Sequence, residues 1–134
     1  MNEVLQPAAW PRPKGYSNGI AARGRQVYLA GQIGWDETGR FPPGGMAAQV
    51  GQALHNIVAV LAEAGARPEH LVRLTWFVTS RAEYLAEAAE IGAAYRAVLG
   101  KHFPAMSVVE VTALMESQAK VEIEATAVIP DVAG

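Results

Sequence analysis

"KHFPAMSVVEVTALMESQAKVEIEATAVIP", residues 101–130, decides the fold. It alternates like two neighbouring strands, about Ser107 to Leu114 and Lys120 to Ile129, joined by the polar "MESQ". Glu110, Glu122 and Glu124 stand in it among small apolar side chains. Glu122 and Glu124 are two apart, so they share one strand face, opposite Val121, Ile123 and Ala125. Such a pair is either a solvated strand face or a carboxylate at a subunit seam that positions and activates water. No cation, thiol or imidazole lies beside it along the strand, only Met106.

Before this stretch, "RLTWFVTS" is dominated by β-branched and aromatic residues and reads as a strand, with Val72, Leu74, Trp76 and Val78 on one face. Ser80 and Glu83 have the spacing of a capping box at the start of a helix. The inner face of that helix is Ala88, Ile91, Tyr95 and Val98, and Gly100 ends it. "MAAQVGQALHNIVAVLAEAG" reads as an earlier helix, with Val50, Leu54, Ile57, Leu61 and Ala64 on its buried face and Gly65 as the left-handed terminator. "VYLAGQIGW" (27–35) reads as a strand closed by a turn through Gly39, Pro42 and Pro43. A shorter strand around Tyr16 to Ala21 is expected to pair with it, after an irregular, Pro-rich segment over residues 1–14.

The expected order is β-β-α-β-α-β-β in one domain, residues 1–134. That order predicts an α+β fold with one mixed sheet and two helices packed on one face. Val109, Val111, Val121, Ile123, Ala125 and Phe77 offer apolar area to both sides of the sheet. A sheet apolar on both faces would expose a large patch in a monomer, so an oligomer is expected.

Composition narrows the function. The 134 residues are 51% hydrophobic and 18% charged, as in an ordinary globular domain. No apolar run reaches the ~20 residues of a membrane span, and the first residues lack a secretion-signal layout. With no cysteine, disulfides, thiolate catalysis and Cys-ligated metals are excluded. These points fit a cytoplasmic protein without membrane partners. A net charge of −2 without a basic stripe argues against nucleic acid as a partner; "RPKGYSNGIAARGRQ" is only mildly basic.

Three weaker motifs carry competing readings. "GYSNG" (15–19) matches the G-x-S-x-G nucleophile elbow, which needs a strand before the serine and a helix after it. Here a Pro-rich segment precedes it and a strand follows, so a glycine-bounded turn or strand is the better reading. His55, His70 and His102 have no metal-ligand spacing. "PPGGM" opens a helix whose N–H groups are suited to an anion, although two glycines before a helix more often form a turn.

Taken together, "GYSNG", "VYLAGQIG", "QALHNIVAVLAEAG", "RLTWFVTS", "AAYRAVLGKHFPAMSVVEV" and "KVEIEATAVIP" resemble the RidA/YjgF family of reactive-intermediate deaminases, over about residues 15–130. The resemblance implies a chorismate-mutase-like (RidA-like) fold. It also implies a homotrimer whose sheets line a central barrel, with ligand clefts between subunits. Deaminating members hydrolyse the C=N bond of a small enamine or imine and release ammonia, without metal or organic cofactor. By the same resemblance, Glu122 holds the water as the catalytic residue. Tyr16, Ala30, Gly31, Met106 and Val108 line the substrate cleft, where the family often has serine in place of Ala30. Within "FPAMS", Met106 stands where deaminating members carry the arginine that grips a substrate carboxylate. A methionine cannot make that bidentate contact, so a substrate other than 2-iminopropanoate is expected. The alternatives are a non-catalytic binding or regulatory trimer and, with least support from the charge balance, an endoribonuclease.

Overall fold

In the computed structural model, which describes residues 2–131, the strands are β1 (Glu3–Leu5), β2 (Gly19–Ala21), β3 (Arg25–Ile33), β4 (Leu71–Val78), β5 (Ala105–Glu110) and β6 (Val121–Ile129). The helices are α1 (Met46–Glu63), α2 (Arg81–Ala86) and α3 (Ala88–Leu99). The main sheet has the order β3-β6-β4-β5. β6 runs antiparallel to both β3 and β4, and β4 pairs with β5 in parallel. The fold is thus α+β with one mixed sheet, as expected. The two strands of the 101–130 stretch are not neighbours, however: β6 enters the middle of the sheet and β4 separates it from β5, which forms an edge.

The core lies between the sheet and the helices. Met46, Val50, Ala53, Leu54, Ile57 and Leu61 of α1 are fully buried, against Leu74, Trp76, Val78, Ile123 and Ala125 of the sheet. Each large aliphatic side chain buried in this way contributes about 1.5–3 kcal/mol. Ile91, Tyr95 and Leu99 complete it from α3, whereas Ala88 is exposed. In β4 the alternation holds for Leu74, Trp76 and Val78, but a register shift between Leu71 and Arg73 makes Leu71, not Val72, the buried residue at its start.

Three local expectations change. Residues 1–14 include β1, and β2 pairs with β1 in a separate two-stranded sheet rather than with β3. The second helix breaks at Glu87, whose backbone leaves helical geometry between α2 and α3. Half of the capping box forms: Glu83 N–H donates to Ser80 Oγ at 3.0 Å. The Glu83 carboxylate turns instead to Met46 N–H and Lys120 Nζ.

The sheet is not apolar on both faces. Val121, Ile123 and Ala125 all point toward the helices. The open face carries Glu122, Glu124, Thr126, Arg73 and Thr75, with Tyr28, Phe77, Val109 and Val128 among its apolar members. The reason is the period of two: every residue of β6 that faces the helices excludes its neighbours from that side.

Candidate functional site

Glu122 sits on the open face of β6, paired across the sheet with Phe77 of β4 and Ile33 of β3. Between Leu29 and Gln32, β3 carries one residue more than β6 does, a bulge at Ala30 and Gly31. The Glu122 carboxylate fills the space beside Gly31: a Cβ on residue 31 would overlap Glu122 Oε2. Glycine here lets a carboxylate lie directly against the strand backbone. Ala30 is exposed in the same bulge. Glu122 belongs to neither ion pair found among the described residues, Arg67–Glu69 and Lys120–Glu83. Glu124 shares the open face, as its spacing requires, and borders a shallow cleft with Tyr28, Arg73, Thr75 and Thr126.

Tyr16, Met106 and Val108 lie elsewhere. They line a cavity of about 500 Å³ on the helix side of edge strand β5, together with Trp76, Tyr95 and Phe103. Tyr16 is held there by its neighbour: Ser17 N–H donates to Pro104 O at 3.0 Å, and Ser17 Oγ to Phe103 O at 2.6 Å. The segment thus lies beside the start of β5, with Ser17 bridging Ala105 in parallel. Ser17 is therefore a latch in a strand-like bridge, and the nucleophile elbow is ruled out because no helix follows it. The cavity wall is aromatic. Trp76 and Tyr95 stack with centroids 6.4 Å apart, Tyr95 and Phe103 at 5.5 Å, and Tyr84 meets Trp76 edge-on. Burial raises both Tyr84 and Tyr95 above the ordinary tyrosine range, so both hydroxyls stay protonated at neutral pH. Tyr95 Oη donates to His102 O at 2.6 Å.

The six expected residues therefore fall into two groups. Ala30, Gly31 and Glu122 meet on the open face. Tyr16, Met106 and Val108 meet on the other side of the sheet, beyond β4. Within one chain the sheet stands between them.

The N-terminus of α1 already holds its anion. Glu87 Oε1 accepts from Ala47 N–H at 3.0 Å, and Glu87 Oε2 from Met46 N–H at 3.3 Å. These bonds, the one from Ala47 first, hold the Glu87 carboxyl below the usual carboxylate range. Gly45 leaves room for it, since a Cβ there would stand 2.5 Å from Glu87 Oε2. The anion at "PPGGM" is thus a side chain of the same protein. The histidines do not converge: His102 Nε2 bonds Leu71 O at 2.7 Å, His70 Nδ1 accepts from Arg67 N–H, and His55 sits on the outer surface of α1. Among the described residues no cluster of three or more His, Asp or Glu could hold a metal ion. No helix among them is long and apolar enough to cross a membrane.

Sequence reasoning placed Trp76 and Tyr95 in the core without seeing that they wall a cavity; it read Lys14 only as part of a mildly basic stretch and passed over Arg96, both of which line the cavity. The one available signal was Gly92, a helix-interior glycine four residues before Arg96.

Comparison with known proteins matches this geometry to a family. The model of the endoribonuclease L-PSP family matches residues 8–129. The RutC family protein slr0709 of Synechocystis is 35% identical over 136 residues, covering 96% of this chain and 97% of that protein. The 2-iminobutanoate/2-iminopropanoate deaminase of Bos taurus is 31% identical over 130 residues, covering 96% and 90%. The crystal structure of the Rid-family protein YyfB from Yersinia pestis superposes with a TM-score of 0.80 at 36% identity, over 96% of this chain and 98% of that one. With a matching family model over nearly its whole length and the same fold, the chain belongs to the endoribonuclease L-PSP family, the RidA/YjgF proteins.

Proposed function

We propose that this protein hydrolyses the C=N bond of a small enamine or imine metabolite and releases ammonia. The observation that carries the reading is the Glu122 carboxylate lodged against Gly31 in the β3 bulge, in no ion pair among the described residues. Relatives bearing the deaminase name at 31% to 36% identity support the reaction class.

The site is proposed to form between copies in a homotrimer. The separation of the two residue groups supports this, because a second copy docked beside β5 could bring its Glu122 and Gly31 to the first copy's Tyr16, Met106 and Val108. Glu122 takes a proton from water as the water oxygen adds to the carbon of C=N. It returns the proton to nitrogen, giving a carbinolamine; the hydroxyl proton then passes to the amino nitrogen as the C–N bond breaks, so ammonia leaves and the carbon keeps the oxygen as a carbonyl. Water and the imine are consumed, ammonia and the carbonyl compound are formed, and no electron acceptor is needed. Tyr16 hydrogen-bonds the ligand, the Gly31 backbone orients it, and Met106 is an adaptable apolar wall. A cysteine-free chain with a slightly acidic balance fits such work in the cytoplasm.

One observation favours a second reading. Met106 occupies the position where the resemblance places a carboxylate-gripping arginine, and a scaffold that has lost its cation could bind without turnover. Nucleic acid is disfavoured by the net charge of −2. The deciding experiment incubates the protein with a panel of enamines and imines, with and without a carboxylate, and follows ammonia. Release that disappears in Glu122→Gln supports deamination. Binding of panel members without ammonia supports the second reading.

A further inference from the structure

We infer that the aromatic cavity behind Met106 receives the planar body of an anionic ligand, and that Arg96, with Lys14, holds the anion. The inference rests on the proposed site, which shares Tyr16, Met106 and Val108 with this cavity. It names the substrate class: an aromatic or similarly flat imino or enamine carboxylate, larger than 2-iminopropanoate.

Four observations converge. The cavity, about 500 Å³, is in the size range of metabolite sites. Its wall is the near-parallel set of Trp76, Tyr95 and Phe103, with Tyr84 edge-on, which favours a flat apolar guest. Trp76, only 2% exposed, borders the cavity, and its indole Nε1–H has no hydrogen-bond partner. A buried donor left unpaired is costly, and an acceptor atom on the guest would satisfy it. The charged side chains lining the cavity are Lys14 and Arg96; no carboxylate lines it, and neither cation joins an ion pair among the described residues.

Gly92 shapes the rim. A Cβ at residue 92 would lie 3.2 Å from Arg96 Nη1, so the guanidinium lies back along α3 over the glycine. A guanidinium offers a carboxylate two parallel N–H donors. The cation that Met106 does not supply from β5 is thus supplied from the helix on the far side of the cavity. A cavity of about 500 Å³ has room for a guest larger than a three-carbon imino acid.

The test is calorimetric titration with 2-naphthoate and with its neutral counterpart, 2-naphthamide, at low salt. The acid should bind about tenfold or more tightly than the amide, the low end for a charge-assisted contact at an exposed arginine. Arg96→Gln, at an exposed position, should bring the two within about threefold while leaving amide binding unchanged, and Arg96→Lys should keep part of the preference. Raising the salt should weaken only the acid. Equal affinity for acid and amide in the native protein, binding of neither, or a preference that survives in Arg96→Gln combined with Lys14→Gln would overturn the inference. Glu122→Gln separates it from the deaminase reading. Glu122-dependent ammonia release without naphthoate binding sinks the cavity inference alone. Arg96-dependent naphthoate binding without ammonia release from any imine upholds the cavity and sinks deamination.

Discussion

Gly31 and Glu122 share a single volume: the glycine's missing side chain is replaced by the glutamate's carboxylate. The two strands reach this fit through one extra residue in β3, so the carboxylate is placed by backbone register rather than by a salt bridge. Glu122→Gln keeps the shape and removes the charge. Turnover of the true substrate should fall by about 10²–10⁴, the range of a positioned acid or base. Gly31→Ala should also lose turnover by pushing the carboxylate out of place. Glu124→Gln, on the same face but exposed, should have the milder effect. If ammonia release survives in Glu122→Gln and vanishes in Glu124→Gln, the roles are reversed.

Met106 should make the protein a poor 2-iminopropanoate hydrolase. A charge-assisted hydrogen bond is worth about 1.5–3 kcal/mol, so lacking a bidentate grip corresponds to a rate lower by roughly a hundredfold or more. Ammonia release as fast as that of a relative carrying the arginine would refute this. Met106→Arg should raise the rate with 2-iminopropanoate.

The proposed sharing of one site between copies predicts assembly. Light scattering in dilute buffer should give about three chain masses. A monomer at micromolar concentration with full activity would remove the shared cleft.

Glu87 predicts the acid limb of stability. Its carboxyl is held down in the folded protein by the Met46 and Ala47 N–H groups, below the unfolded value of 4.5. The folded state therefore binds this proton less readily than the unfolded chain does. Its contribution is complete above about pH 4.5 and is lost as pH falls through the lower folded value. Thermal melts should show Tm dropping on acidification over that window, with a shallower drop in Glu87→Gln and a lower Tm at neutral pH.

Gln49, 4% exposed, fastens the entry to β6: its Nε2 donates to Gln118 O at 2.9 Å, and its Oε1 accepts from Lys120 N–H at 2.7 Å. Gln49→Ala strands both backbone groups. Urea denaturation should show a loss of roughly 1–3 kcal/mol, the desolvation cost of unmet buried polar groups. Unchanged stability would mean that water replaces the side chain.

The sequence alone determined the fold class, because period-two and three-and-four spacing report which side chains face a core. Val50, Leu54, Ile57 and Leu61 of α1, and Val121, Ile123 and Ala125 of β6, are buried as that spacing requires. It also determined that Glu122 and Glu124 share a face. The pairing of strands was not in it. β6 lies between β3 and β4, separated from its sequence neighbour β5 by β4, because strand order follows from how helices cross over and cover a sheet, not from local alternation. Alternation also misled on the open face. Phe77 and Val109 are apolar there, but they stand among Glu122, Thr75 and Arg73, a mixture visible only once the strands are in register. The anion at the start of α1 comes from Glu87, and the cavity joins Tyr16 to Trp76, Tyr95 and Arg96 from three separate segments. Contacts over such sequence distances leave no local period, so only the tertiary structure could decide them.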